Sequence, residues 1–531
     1  MSENARRRAQ LSPAKRKLLQ RRLAERRRAQ AAAGDGAHEL SFAQERFWFL
    51  EQLEPGNPAH HIASRARLVG ALDAGALEAA LRGVVERHES LRTRFALEGD
   101  RPVQRVEPAP PLSLAPVDLT GLAGPALEEE RRRRLDAVAL TPFDLARGPL
   151  LRVQLLRLGP EHHELLCALH HVAADGLSTQ LLANELAELY RARVTGAAPR
   201  LPELALQYRD HAARQRRALT PEVVERESAW WRACLDGLEP LELPADRPAG
   251  RGPDDWRLRG ARTELELEPA LWEALRGLAR GAGATPYMAL LAAFETLLAR
   301  LTGRDAFAVG TTAAGRTRAE LRPLIGLFMN SVAVPADLAG NPSFRDLLGR
   351  VRAATLEAQR RQEFPFEKVV DALQPERSLE RSPLFQVLFN YIDFIDFRRE
   401  LPGLALELEL ARTGAPYDLA LHAWDRGDGG LLLELEYHAG RFEAATAERF
   451  LAGLRRLVQA AVREPERPVG RLPWVGARDA EQLLRLGTGP PGVPWEGPVP
   501  AVPVHAVPVH AVIGARARHP ARRRCSPASC N

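Results

Sequence analysis

What this 531-residue sequence lacks narrows its class quickly. Its hydrophobic residues, 45% of the chain, never gather into a run near the roughly 18 that a membrane helix needs. The N-terminus is Arg-rich and does not turn apolar, which predicts no secretory leader. Four cysteines, with Cys525 and Cys530 in an unusual tail, supply no disulfide framework, so a reduced, cytoplasmic setting is expected. There is no Gly-x-Ser-x-Gly turn to raise a serine nucleophile, and no nucleotide-binding loop. A basic body is missing too. Of the net +6, residues 1–30 carry +9 and residues 515–531 carry +5, which leaves −8 between them. Nucleic-acid binders carry their basic patch on the folded body, so neither a nucleic acid nor a membrane is expected as a partner. The length allows two or three domains, and 27% charged residues is ordinary for a globular protein.

What is present centres on Leu165–Ser178. Five apolar residues, Leu165 to Leu169, suit a buried strand that ends in His170 and His171; a Gly-containing loop follows, and Ser178 precedes a helical run. Side chains alternate across a strand, so the two histidines should face opposite ways, one imidazole for chemistry and one for support. Adjacent strand histidines cannot face one ion, and His162-His163 lies at the other end of the strand, so no metal is expected. Asp175 sits in the loop, and Gly176 leaves its side of the cleft open.

His170-His171-x-x-x-Asp175-Gly176 resembles the HHxxxDG signature of nonribosomal peptide synthetase condensation domains, members of the chloramphenicol-acetyltransferase-like acyltransferases. Other motifs of that family follow in order. Ser41–Leu50 resembles the first, SxAQxRLWxL, with Phe47 in place of Leu, and Arg87–Phe95 matches RHExLRTxF. Tyr208–Ala212 resembles the fourth, with His211 where Tyr is usual. Ile325–Ser331, Arg361–Glu367 and Arg377–Leu384 resemble the fifth to seventh.

The resemblance implies an α/β fold, an α+β sandwich of two acetyltransferase-like lobes forming a V-shaped pseudodimer. The expected division is a basic helical extension over 1–38, an N-terminal lobe over 39–239, a C-terminal lobe over 240–475, and a truncated adenylation-domain preamble over 476–531. It implies amide formation between a donor acyl or peptidyl thioester and the amine of an acceptor aminoacyl thioester. Both arrive on the phosphopantetheine arms of peptidyl carrier proteins, so the chain itself should bind no cofactor. His171 would accept the amine's proton or position the amine, since a neutral imidazole can do either. His170 would support the loop. Asp175 would pair with a buried arginine, Arg87 first and Arg92 second. Asn330 would orient the thioester or its oxyanion, or cap a loop. Ser178, Leu177 and Met329 would line the substrate tunnel. The basic N-terminal helix, capped at Ser12-Pro13, could dock an upstream synthetase subunit. Two other readings remain open: an ester-forming relative, and a noncatalytic scaffold that docks carrier proteins.

Overall fold

The computed structural model describes residues 36–247, 260–374, 382–393, 398–411, 415, 417–426, 429–476 and 481. The expected N-terminal helix, residues 248–259 at the start of the expected C-terminal lobe and the tail beyond 481 lie outside the described residues, as does the start of the seventh motif. Among the described residues no single helix is long and apolar enough to cross a membrane.

The strands form three sheets among these residues. The smallest joins β1 (Ala37–Glu39), β4 (Arg101–Val106) and β3 (Thr93–Glu98). The second runs β12 (Arg398–Leu401), β13 (Leu404–Ala411), β2 (His61–Gly70), β7 (His162–His170), β6 (Leu151–Arg157) and β5 (Val117–Asp118). The third runs β10 (Asn330–Asp337), β9 (Ala306–Ala313), β11 (Val387–Ile392), β14 (Leu419–Asp425), β15 (Leu431–His438) and β8 (Gly260–Leu267). The result is a mixed α/β fold in which the second half lends β12 and β13 to the sheet of the first. β13 pairs antiparallel with β2 from Leu404–Gly70 to Ala411–Ala63, so a cut near residue 240 does not separate the two sheets.

β7 carries an unbroken apolar run because both of its faces are covered. Leu165, Cys167 and Leu169 pack with residues of the helices Ala74–Arg87 and Gly176–Thr195. Leu166 and Ala168 face the other way, against Val138 and Ala139 of the helix Gly124–Leu140 and against Phe143. The second lobe is organised on Pro286–Thr302, which is buried around its whole circumference from Met288 to Leu298. A largely apolar helix buried on every side belongs inside a core.

The helix Phe42–Leu53 seats the first motif beneath the end of β7. Ser41 caps it by accepting the Gln44 N–H at 3.1 Å, while Gln44 Oε1 accepts the Ser41 N–H at 3.0 Å. This reciprocal cap satisfies two end groups of the helix. Tyr208 adds a tie between the two halves: its hydroxyl lies 2.8 Å from Ser41 Oγ and donates to the Leu327 carbonyl at 2.6 Å.

Candidate active site

β7 ends at His170, and a tight turn carries the chain through His171 to Asp175. His170 is completely buried, while His171 is only partly so. The His170 Nδ1 accepts the Val172 N–H at 3.0 Å, which locks its ring to the turn. The His171 ring stacks on Phe47 with centroids 5.3 Å apart and planes inclined by 16°. Its backbone N–H donates to the His60 carbonyl at 2.8 Å. Its Nδ1 is enclosed, with no hydrogen-bond partner among the described residues. Burial pushes the His171 imidazole down to about 3, reinforced by His170 and His60 and opposed by Asp175 and the Ala174 amide. His171 is therefore neutral throughout the physiological range.

Asp175 caps the helix Gly176–Thr195 and does more besides. Its Oδ1 accepts the Ser178 N–H at 2.9 Å and lies 2.8 Å from Ser178 Oγ. Its Oδ2 accepts the Phe328 N–H at 3.0 Å and the Met329 N–H at 3.2 Å. Arg316 grips both oxygens, Nη1 at 2.8 Å and Nη2 at 3.0 Å. Arg316 in turn reaches the Leu324 carbonyl at 3.1 Å and lies 4.4 Å over the Phe328 ring. This bidentate pair joins the histidine loop to residues 314–329 of the second half, with side chains 3% exposed on each side.

The partner of Asp175 is thus Arg316, and the expectation of Arg87 or Arg92 is corrected. Arg87 Nε donates to Glu185 at 3.1 Å, and the buried His88 lies 2.8 Å from the same carboxylate. Arg87 and His88 together pin the helix that follows the histidine loop, below its first turns. Arg92 donates to the Glu107 carbonyl at 2.7 Å and so fastens the strand pair β3–β4. Arg316 follows Gly315, whose positive φ of 65° brings it against Phe328; an added Cβ would lie 2.0 Å from the Phe328 carbonyl oxygen. A lone Gly-Arg after a strand is too common a pair to flag in sequence.

Three further expectations resolve. Asn330 is committed to a loop: its Nδ2 donates to the Gln362 and Phe364 carbonyls at 2.9 and 2.8 Å. Its Oδ1 accepts the Phe366 N–H at 3.1 Å, so the amide has no atom to spare for an oxyanion. Ser178 is fully buried against Asp175, Arg316 and Gly326, and so is part of the clamp instead of lining a tunnel. Leu177 and Met329 remain partly exposed at the same junction. Gly176 is exposed, and a Cβ built on it would meet nothing within 4 Å. The protein's own packing therefore does not demand glycine there.

A family model described as "Condensation domain" matches residues 35–484. The chain belongs to the condensation-domain family. A component of the linear gramicidin synthase of Brevibacillus parabrevis is 41% identical over 449 residues, covering 84% of this chain and 6% of that protein. The chain spans under a tenth of the first curated relatives it matches. The X-domain from teicoplanin biosynthesis superposes with a TM-score of 0.74 at 30% identity, covering 84% of this chain and 99% of that one. The first condensation domain of the calcium-dependent antibiotic synthetase gives 0.71 at 24% identity, with 84% and 100% covered, which speaks to the shared condensation-domain fold.

Sequence reasoning also missed a buried group beside the motif. Glu51, His60 and His170 converge beneath the histidine loop, with Glu51 1% and His170 0% exposed. Glu51 stands immediately after the first motif, and nothing in its spacing marks it.

Proposed function

We propose that this condensation domain forms an amide bond between a donor acyl or peptidyl thioester and the amine of an acceptor aminoacyl thioester. Both substrates come on the phosphopantetheine arms of carrier proteins, and the chain supplies no cofactor of its own. The observation that carries this reading is the His171 imidazole, stacked in a fixed plane on Phe47 at the partly exposed end of the turn, with burial of its Nδ1 side favouring the neutral ring. The attacking nitrogen forms the C–N bond as the C–S bond breaks, and its extra proton ends on the departing thiolate or in solvent. A ring whose burial disfavours its charged form is a poor store for that proton. It is a good hydrogen-bond acceptor, so His171 aligns the amine and passes the proton on.

Gly176 supports the same reading, because the space beside it is left open where packing would tolerate a side chain. The Asp175–Arg316 clamp, with both side chains buried, keeps the histidine loop and residues 314–329 in register. A scaffold role is favoured by one observation: the X-domain, 31% identical here, was solved in a complex with OxyB. Product formation separates the two readings. Two loaded carrier proteins mixed with this chain should yield condensed product on the acceptor arm by mass spectrometry; carrier binding with no product would support the scaffold.

A further inference from the structure

Two pairs of histidines meet side by side in the first lobe, because β2 and β7 pair with His61 opposite His170. Only His171 is needed by the proposed chemistry. Of the other three, His60 and His170 flank Glu51, a buried carboxylate on the helix Phe42–Leu53, while His61 meets the Ala139 carbonyl. Glu51 lies four residues after Phe47, so the two side chains leave the same face of that helix. Phe47 meets the His171 ring, and it also meets His60 edge-on at 5.4 Å. Glu51 addresses the other two imidazoles: its Oε2 is 3.7 Å from His60 Nδ1 and 3.8 Å from His170 Nε2. Its Oε1 accepts the Gly56 N–H at 2.6 Å, which fixes the carboxylate in place.

Two imidazole nitrogens and a carboxylate oxygen make a donor set that suits zinc. The His170 ring argues against that use. Its Nδ1 accepts a backbone N–H, so in the neutral ring the proton must sit on Nε2, and a protonated nitrogen cannot ligate a metal. That nitrogen lies 3.8 Å from Glu51 Oε2, beyond hydrogen-bond reach, so the carboxylate acts on it through charge. We infer that Glu51 is a positioning residue for the His171 imidazole: the Val172 N–H sets His170 as the Nε2–H tautomer, and the buried carboxylate orients that N–H and the Nδ1 side of His60 towards itself by charge. These two rings in turn fix Phe47 and the His60 carbonyl, on which the His171 ring and backbone rest. Glu51 is ionised for this task. Burial alone would raise its carboxyl, but His170, His60 and the Gly56 N–H outweigh that and hold it at about 2.

The role rests on the condensation reading only for its kinetic consequence; the tautomers are a property of the free protein. The test uses protein labelled with 15N-histidine. His170 and His60 should each show one protonated ring nitrogen, on Nε2 and Nδ1 respectively, and both N–H groups should be protected from exchange. In Glu51→Gln, those N–H signals should shift and lose protection. Turnover on loaded carrier proteins should fall by about 10- to 100-fold, by analogy with the loss of an outer partner of a metal-bound imidazole. The apparent KM for the carrier proteins should hold, and Glu51→Asp should recover part of the loss. If wild-type His170 carries its proton on Nδ1, or if the protein dialysed against zinc retains one equivalent, the inference fails. Neither result needs a variant that folds or any product to form. Unchanged ring N–H shifts and exchange protection in a folded Glu51→Gln protein would overturn it equally. A chain with the expected tautomers and no condensed product would leave Glu51 in place and remove the condensation reading.

Discussion

Asp175→Ala and Arg316→Ala remove the two halves of one clamp, yet they should not cost the same. Removing Asp175 leaves the Arg316 guanidinium buried with only the Ala314 and Leu324 carbonyls and Ser178 Oγ around it. It also removes the cap of the helix Gly176–Thr195 and orphans the Phe328 and Met329 N–H groups. Breaking a buried pair costs about 3–5 kcal/mol, and losing the cap adds about 1 kcal/mol. Removing Arg316 strips the same pair but leaves the carboxylate with both Ser178 donors and two backbone N–H groups. That change should fall at or below the lower end, about 3 kcal/mol. With an unfolding entropy on the order of 1 kcal/mol/K for a body of this size, the gap reads as a Tm lowered by roughly 4–6 °C against roughly 3 °C. Thermal unfolding and urea titration of both variants and of the double variant give the comparison. The double variant should be less destabilised than the two singles combined, because the two residues share one interaction. Equal losses, or a larger loss for Arg316→Ala, would show that the carboxylate depends on the guanidinium far more than its four other donors imply.

Gly176→Ala should fold with an unchanged Tm, since its Cβ meets no protein atom within 4 Å, yet lower turnover by filling space beside the reacting groups; equal turnover would mean that the opening is not used. Glu295 is fully buried with no hydrogen-bond partner for either oxygen among the described residues, and burial raises its carboxyl well above 4.5. It is protonated when folded and ionises on unfolding, so it weakens the fold as pH rises from about 4.5 towards its folded value, by at most about 1.4 kcal/mol per unit. Glu295→Gln should flatten that slope in urea titrations between pH 5 and 8 (an assay window of about three units); parallel slopes would place Glu295 in contact with water.

Much of the local architecture was legible because it is written in short-range signals. Asp73 caps the helix Ala74–Arg87, Thr285 caps Pro286–Thr302, and Gly196 closes Gly176–Thr195 with φ of 70°. The apolar run ending at His170 read correctly as a buried strand. What escaped was set by contacts distant in sequence. Arg316 reaches Asp175 across 141 positions, and Arg87 was a plausible partner until Glu185 claimed it. β13 joins the first sheet from the far half of the chain, which its own alternating pattern does not announce. Ser178 read as a tunnel residue preceding a helix but lies in the first turn of that helix, where its hydroxyl meets three partners. Glu51 had no motif to mark it, only a fold that brings it under two histidines.

The most direct test of the account compares His171→Ala with the parent chain in a single turnover on two loaded carrier proteins, scored as product per folded molecule. The His171 ring leaves the partly exposed end of the turn, so the variant should keep its melting temperature and its carrier binding. Product formation should drop by about 10²–10⁴, the range for losing a group that handles a proton in the transition state. Undiminished product from a folded His171→Ala protein would contradict the assignment and put the chemistry elsewhere in the chain.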